Sequence, residues 1–430
     1  MADGDFSSLE LRGPRREEDF EVYEAVDASS PDPEDHVYSC VALCRKGWKD
    51  DWPALGGTRH FQKERDRASH EAIELAMSMY IKNSLLRKSA QSLHNGGGLF
   101  NWQGGKGVIW TPPGAPLTEH RLRCHGRLID WIGGQYVGSG DVGVGEPQLR
   151  ILAQETKHLI GLGCLRDTGE ATAHGIFAGL RQAVREEAAA LGADAADPLR
   201  GLPILVYGAG KVGFPLLGLL HAAGAEVWVF DEMLHPGAAA VDAWYAGSLA
   251  REAAVGPEHL AALRAVDAAG RILGSEQEAL DHPGVRVVSP NAGMAEWLSR
   301  SPKGDSGGRT RAERLAANRA QNGRLGLILG AGNDQVSTTA AGKPGRDRAL
   351  AILAAAGIVF VPDPLVSPGG VISVSHERER DWSAERVNDD AQRLVARSVE
   401  QLFATARRLG GTDAVTLYRA LEDLVHNEWH

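Results

Sequence analysis

The feature that most constrains the fold is a glycine-rich turn in the segment ILVYGAGKVG, between an apolar run and a leucine-rich run. Gly208, Gly210 and Gly213 have the spacing of a dinucleotide-binding fingerprint, with a predicted strand before the turn and a predicted helix after it. In this motif the first glycine makes the turn, the second admits a pyrophosphate, and the third lets the helix pack on the strand. Lys211 and Val212 complete the turn, where free N–H groups at the start of the helix favour phosphate.

A carboxylate follows the next predicted strand. The run EVWVF ends at Asp231, 18 residues after Gly213. A carboxylate here can accept hydrogen bonds from both ribose hydroxyls and repels a 2′-phosphate. The motif therefore predicts NAD in preference to NADP. The alternative is a glycine-rich turn in an α/β core with no ligand.

Apolar runs and alanine-rich segments alternate through the second half of the chain. The runs ILVYG, EVWVFD, VRVVSP, LGLILGAG and GIVFVPD predict a parallel sheet covered by helices. Earlier in the chain, EVYEAV and HVYSCVALC predict two strands, and residues 63–86 predict a helix. We expect a loose tail over 1–19, one long helix over TGEATAHGIFAGLRQAVREEAAALGA, and a polar surface insertion over 300–323.

Charge and cysteine content exclude several classes of protein. Lys plus Arg number 46 and Asp plus Glu 56, so the net charge of −10 argues against a nucleic-acid or anionic-membrane partner. No run approaches the roughly 18 apolar residues of a membrane span, and we identify no secretory signal. Four cysteines in 430 residues are typical of a reducing cytoplasm. Cys40 and Cys44 have no second ligand pair, so we expect no metal.

Six further segments lie between about residue 20 and about residue 400. They are PALGGTRHF, LAMSMYIKNSLL, QGGKGVI, GGQYVGSGDVGV, GEATAHGIFAGL and GIVFVPDPLVSPGGVISVSHE. Together they resemble the glutamate/leucine/phenylalanine/valine dehydrogenase superfamily, above all its leucine and phenylalanine branch. The resemblance implies reversible oxidative deamination of an L-amino acid to a 2-oxo acid and ammonia, with hydride transfer to NAD.

The resemblance also implies roles for three charged residues. Lys106 matches the catalytic lysine, and burial beside another cation would lower its pKa and make it a usable base. Asp141 matches the aspartate that shuttles protons. Lys82, one helical turn after Met79, matches the lysine that binds the α-carboxylate. For each lysine the alternative is a solvated surface charge.

The same resemblance predicts an apolar substrate pocket. Leu55 occupies the position at which glutamate-specific relatives carry a lysine, and an apolar wall cannot compensate a buried carboxylate. We therefore expect an aliphatic or aromatic side chain on the substrate, and the choice between the two stays open. The predicted substrate-binding residues are Lys82, Leu55, Gly56, Gly57, Met79, Ser139, Val371 and Val374.

Further residues complete the predicted cofactor site. Thr172 matches a threonine that contacts the nicotinamide amide, and its alternative role is that of a helix residue near the N-terminal cap. Asn291 and Ala292 are also predicted to bind the cofactor. Asn333 matches an asparagine that contacts cofactor or substrate, although this chain has Asp334 where relatives often have an asparagine.

We predict an α/β fold of two domains with a cleft between them. The first, over 1–160, binds substrate and mediates oligomerisation, and the C-terminal helices 385–430 complete it. The second, over 165–380, is a Rossmann-type NAD-binding domain. We expect a homo-oligomer.

Two features leave the function open. The segment SAQSLHNGGGLFNW lengthens the interval between Lys82 and Lys106, either as a surface loop or as a pocket element with Phe100 and Trp102. The alternatives to the dehydrogenase are a non-catalytic homologue that binds NAD or an amino acid, and a sister oxidoreductase acting on a different imine or 2-oxo acid.

Overall fold

Two β-sheets organise the chain, one in each of two compact units. The computed structural model describes residues 6–32, 35–94, 98–163, 168–251, 257–292, 296–303, 307–332, 335–338, 342–379 and 383–426. The first unit comprises Met1–Arg87, Gly96–Leu165 and Ser373–Asp381, and the second Lys88–Asn95, Arg166–Ile372 and Trp382–His430. In the described ranges, no helix combines the length and the hydropathy of a membrane-spanning segment.

The first sheet has six strands in the order β1-β2-β3-β5-β4-β6. The strands are β1 (Glu10–Glu17), β2 (Phe20–Asp27), β3 (Val37–Cys44), β4 (Ala54–Phe61), β5 (Gln103–Trp110) and β6 (Tyr136–Gly140). The helices around them are α1 (Ala68–His94), α2 (Glu119–Trp131) and α3 (Glu146–Leu152). The β1, β2, β3 and β5 pairings are antiparallel, whereas β4 runs parallel to β5 and β6.

The second sheet has five parallel strands in the order β11-β10-β9-β7-β8. The strands are β7 (Pro203–Tyr207), β8 (Glu226–Phe230), β9 (Val287–Pro290), β10 (Leu327–Ile328) and β11 (Val359–Phe360). The helices that follow are α4 (Thr168–Glu186), α5 (Ala188–Leu191), α6 (Gly213–Ala222), α7 (Ala238–Arg251), α8 (Pro257–Ala268), α9 (Glu276–Asp281), α10 (Arg311–Asn322), α11 (Lys343–Ala355), α12 (Asp363–Val366), α13 (Gly369–Arg378), α14 (Ala384–Leu409) and α15 (Ala414–His426). They belong to the second unit, except that α13 belongs to the first unit from Ser373 onwards. This parallel sheet confirms the predicted α/β fold with a Rossmann-type sheet.

Four local expectations differ from the structure: those on the N-terminal tail, the long helix, the C-terminal helices and residues 300–323. Residues Glu10–Glu17 are not a loose tail but an exposed edge strand that pairs with β2. Most residues of this strand are charged, so its sequence lacks the alternation of apolar and polar residues that predicts a strand. The predicted long helix ends at Glu186, because Glu187 has non-helical backbone angles before α5 begins. Residues Trp382–His430 group with the second unit, whereas the sequence placed 385–430 with the first.

The grouping of the C-terminal helices follows from helix packing within the second unit. A Cβ atom on Gly175 of α4 would lie 3.1 Å from Val395 of α14, and one on Gly179 would lie 3.2 Å from the same valine. The two glycines thus let α14 approach α4 closely along its length. Gln392 adds a 3.0 Å hydrogen bond to His174 of α4.

The predicted surface insertion at 300–323 is instead built into the second unit. Thr310 caps α10, and the Glu313 side chain accepts a hydrogen bond from the Thr310 amide. Arg311 is almost fully buried, and its Nε donates to Glu276 Oε1 at 2.7 Å. Tyr207, the last residue of β7, donates to the same oxygen at 2.6 Å. The polar composition of this segment gave no sign of a buried ion pair. The Glu276 carboxylate and the backbone carbonyl oxygens of Trp297, Arg300 and Ser301 together compensate the buried charge of Arg311.

Candidate active site

The strand that carries Lys106 lies directly against α1. A Cβ on Gly104 would stand 2.4 Å from the Ala76 carbonyl oxygen and 2.6 Å from Tyr80, so only glycine permits this approach. Lys106 follows two residues later, on the same face of β5 as Gly104. A Cβ on Gly56 would lie 1.7 Å from the Gly105 oxygen, so β4 and β5 also meet through glycines. The glycine-rich segments therefore bring Lys106 beneath α1, the helix that carries Lys82.

Lys106 and Asp141 form a buried ion pair. Lys106 Nζ lies 2.7 Å from Asp141 Oδ2, and the two side chains are 7% and 19% exposed. Asp141 follows β6, and a Cβ on Gly57 would stand only 2.8 Å from the Asp141 Cβ. Gly57 thus admits the aspartate to the site. The structure brings together the two residues that the sequence predicted as catalytic, and their roles stay a prediction.

Arg59 joins this pair. Its Nε donates to Asp141 Oδ2 at 2.8 Å, and its Nη1 donates to Glu71 Oε1 at 2.8 Å. Neither Arg59 nor Glu71 was among the sequence-predicted site residues. The arginine stands within the segment PALGGTRHF, but nothing in the sequence indicates that its charge turns towards Asp141.

The charges of the site shift both proton equilibria. Burial lowers the pKa of Lys106, and the Arg59 and Lys82 cations lower it further, while Asp141 acts in the opposite direction. Burial alone would raise the pKa of Asp141, but Lys106 and Arg59 together hold it well below its usual range. Lys106 is therefore more easily deprotonated than an exposed lysine, and Asp141 stays ionised.

The predicted substrate residues divide between strands and helices. Lys82 is buried on α1, where its charge acts on Lys106, and Met79 lies one turn earlier. Leu55 and Ser139 are buried on the adjacent strands β4 and β6, with Ser139 opposite Gly57. The other two residues, Val371 and Val374, are buried one turn apart on α13.

Part of the lengthened segment between Lys82 and Lys106 lies in the interior. Helix α1 continues to His94, and Phe100 and Trp102 are buried. Trp102 Nε1 donates to Ser375 Oγ of α13 at 2.9 Å. The described end of this segment is therefore not a surface loop.

The glycine fingerprint adopts the expected strand–turn–helix geometry between β7 and α6. Gly208 has φ +91°, and a Cβ there would lie 2.8 Å from the Ala292 nitrogen. A Cβ on Gly213 would lie 1.8 Å from the Gly208 oxygen. A Cβ on Gly210 would meet nothing within 4 Å. The first and third glycines are thus required by packing, whereas the second faces open space, as an approaching pyrophosphate requires.

The turn lies where the order of the strands reverses. Strand β8 lies on one side of β7 and β9 on the other, which is the usual place for a ligand in an open parallel sheet. Asn291, directly after β9, donates its backbone N–H to the Tyr207 backbone carbonyl oxygen at 2.7 Å. Asp231, directly after β8, accepts hydrogen bonds from the amides of Ala209 and Met233, both at 2.9 Å. Asp231 therefore also holds the glycine turn in place.

The start of α4 is the other element at this turn. A Cβ on Gly169 would lie 2.4 Å from Lys211, so α4 begins against the fingerprint. Thr172 donates its hydroxyl to the Thr168 carbonyl at 2.7 Å, which leaves its oxygen as an acceptor. Asn333 lies outside the described residues. The residues present fit a dinucleotide, since the turn pairs an open glycine with a carboxylate at the end of the second strand.

Comparisons with known proteins agree with this assignment. No family model matches the chain. Leucine dehydrogenase from Geobacillus stearothermophilus is 28% identical over 361 residues, covering 83% of this chain and 79% of that protein. Valine dehydrogenase from Streptomyces albus is 28% identical over 375 residues, covering 86% and 84%. L-Tryptophan dehydrogenase from Nostoc punctiforme shares the fold, with a TM-score of 0.60 at 21% identity over 91% of this chain and 93% of that one.

A parallel dinucleotide-type sheet together with a buried lysine–aspartate pair, in a chain with these relatives, defines an oxidoreductase of the amino-acid dehydrogenase class. The chain is similar over more than four fifths of its length to leucine and valine dehydrogenases, which supports the glutamate/leucine/phenylalanine/valine dehydrogenase superfamily and its leucine dehydrogenase-like branch. The resemblance inferred from the sequence is thereby confirmed.

Proposed function

We propose that this protein catalyses the NAD-dependent, reversible oxidative deamination of an apolar L-amino acid to a 2-oxo acid and ammonia. The Lys106–Asp141 pair carries the proposal, because it joins a lysine of lowered pKa to an ionised carboxylate. Leucine and valine dehydrogenases among the relatives support the same reaction. A matching dinucleotide turn in the second unit supports the cofactor.

The proposed reaction divides between cofactor and protein. Gly208–Gly213 would hold NAD, with Asp231 at its adenosine ribose and Thr172 at its nicotinamide amide, and the bound cofactor would supply the hydride acceptor for the substrate Cα. Lys82 holds the α-carboxylate as a fixed cation. Neutral Lys106 takes a proton from the water that attacks the resulting imine carbon. Ionised Asp141 takes a proton from the substrate ammonium group before the hydride leaves and later returns it to the departing nitrogen. The C–N bond breaks as the carbonyl forms, the hydroxyl proton goes to solvent, and the products are the 2-oxo acid and ammonia.

The proposed substrate class rests on the residues that the sequence predicts for the side-chain pocket. Leu55, Val371 and Val374 are apolar and buried, and none of them can pair with a carboxylate. Ser139 is small and contributes one hydroxyl. We therefore propose an aliphatic or aromatic substrate in preference to glutamate.

The direct test is to mix the purified protein with NAD and single L-amino acids, including leucine, valine, phenylalanine and glutamate, and to follow NADH absorbance. We expect turnover with an apolar amino acid and none with glutamate. NAD binding without any turnover would indicate the non-catalytic homologue. Consumption of NADH only with a different imine or 2-oxo acid would indicate the sister oxidoreductase.

The proposed enzyme is a homo-oligomer that acts in the cytoplasm. The oligomer follows from the family resemblance, and the compartment from the low cysteine content and the buried free thiols of Cys40, Cys44 and Cys124. Light scattering after gel filtration should give a multiple of the single-chain mass. A single-chain mass at assay concentration would refute the oligomer without touching the chemistry.

A further inference from the structure

Asp141 is bound by two cations through one oxygen. Lys106 Nζ lies 2.7 Å from Oδ2, and Arg59 Nε lies 2.8 Å from the same atom. In the described part of the chain, both hydrogen bonds that the Asp141 carboxylate accepts from side chains are accepted by Oδ2. Its Oδ1 is therefore the oxygen left for exchange with a ligand.

We propose that Arg59 is a positioning residue for the deamination: it holds Oδ2 of Asp141 beside Lys106 and so presents Oδ1 to the substrate nitrogen. The proposal rests on the proposed function. Arg59 touches neither substrate nor cofactor in this scheme. It acts through Asp141 and through its charge on Lys106.

An arginine suits this task because of its shape. The guanidinium donates through Nε to Asp141 and through Nη1 to Glu71, in the first turn of α1. Two donors in one rigid plane fix the direction of the group, which the single ammonium of a lysine cannot do. Glu71 thereby holds Arg59 in place, and Arg59 in turn holds Asp141.

The charges around Lys106 predict the direction in which its pKa should move when Arg59 is changed. Lys106 is influenced by Asp141, which raises its pKa, and by Arg59 and Lys82, which lower it, on top of burial. Removing the Arg59 charge takes away one cation and leaves the rest. The pKa of Lys106 should then rise, and the rising limb of kcat/KM against pH should move to higher pH. Removing the Glu71 charge leaves Arg59 uncompensated, so Glu71→Gln should move the same limb to lower pH.

The experiment compares the wild type with three variants of this cluster and one control variant, all in their full-length form, with NAD and the best apolar amino acid. Arg59→Met should reduce kcat by about tenfold or more at neutral pH, recover part of that loss at higher pH, and leave the KM for NAD unchanged. Arg59→Lys should keep a charge but lose the second donor, so its limb should lie between those of Arg59→Met and the wild type. Glu71→Gln tests the opposite sign.

The matched control is Arg123→Met. Arg123 belongs to the same unit, and its side chain is 16% exposed, like that of Arg59. Its Nε donates to Glu155 Oε1 at 2.6 Å, and this ion pair does not include Lys106 or Asp141. Its loss should lower stability without moving the pH limb. If Arg59→Met shows the same pH midpoint as the wild type and as Arg123→Met, the inference is wrong. If Arg59→Met does not fold, unchanged midpoints in Arg59→Lys and Glu71→Gln refute it equally.

Failure of this inference can be told apart from failure of the proposed function. The titration of Lys106 can be followed without turnover by the ¹³Cε shift in lysine-labelled protein, assigned with Lys106→Met. A wild type that oxidises no amino acid overturns the proposed function. A Lys106 titration that ignores the Arg59 and Glu71 changes overturns the role of Arg59, whatever the activity.

Discussion

A single methyl group at Gly210 should separate cofactor binding from folding. A Cβ there meets nothing within 4 Å, and the backbone is not in the left-handed region. Gly210→Ala should therefore leave the free energy of unfolding within about 1 kcal/mol of the wild type, on the stabilising side, because alanine restricts the unfolded chain. If a pyrophosphate approaches this backbone, the same methyl group occupies its space. NAD affinity should then fall by about tenfold or more, which is about 1.4 kcal/mol.

The matched variant is Gly213→Ala, three residues further along the same turn. Its Cβ would stand 1.8 Å from the Gly208 carbonyl oxygen, so the backbone must move, and overpacking of this kind costs about 1–3 kcal/mol. Urea unfolding without cofactor should therefore rank Gly213→Ala well below the wild type and Gly210→Ala close to it. NAD binding, measured by calorimetry, should be weakened in both. Wild-type affinity in a folded Gly210→Ala protein would refute the assignment of this turn to a pyrophosphate.

Three further outcomes are expected. Lys106→Met should lower kcat by about 10²–10⁴ and leave NAD affinity nearly unchanged, as steady-state kinetics and calorimetry would show; near-normal turnover would place the base elsewhere. Asp231→Ser should weaken NAD binding and raise the ratio of NADP to NAD in kcat/KM, since the charge that opposes a 2′-phosphate is lost; a wild type that reduces both cofactors equally would contradict this. Burial lowers the pKa of His125 to about 3, whereas the unfolded chain takes up that proton near pH 6.5. Acidification from pH 7.5 to 5 should therefore cost about 2 kcal/mol of stability through this group, a loss that urea unfolding should show missing in His125→Gln.

The parts of the fold that carry a period or a turn motif could be predicted from the sequence, and the parts fixed by charge could not. The apolar runs of the second half appear as parallel strands, because each is buried on both faces and reads as continuous β-branched sequence. Strand β1 has no such run, since it is an exposed edge strand in which charged residues surround Gly13 and Pro14. The burial of helix α10 was not predicted, because its Arg311 is charged and its partner Glu276 lies 35 residues away in the sequence.

The candidate site shows the same division. Gly208 was predicted from the fingerprint, and Gly56 and Gly57 were predicted by resemblance. In the structure, each of these glycines, and Gly104 as well, lies where the backbone closely approaches a neighbouring element. Lys106 and Asp141 were predicted by resemblance, 35 residues apart, and they meet at 2.7 Å. Arg59 could not be predicted, because an ion pair depends on where side chains converge in space and leaves no spacing in the sequence.

The convergence around Asp141 has a chemical consequence that neither partner alone would produce. A buried carboxyl group by itself would keep its proton. A buried carboxylate paired with a single lysine would be ionised, but it would raise the pKa of that lysine and keep it protonated. A second cation, Arg59, changes this balance, since it keeps Asp141 ionised while opposing the charge on Lys106. The site therefore holds a carboxylate that can accept a proton next to an amine that can give one up. The proposed reaction needs both, when water adds to an imine and ammonia departs.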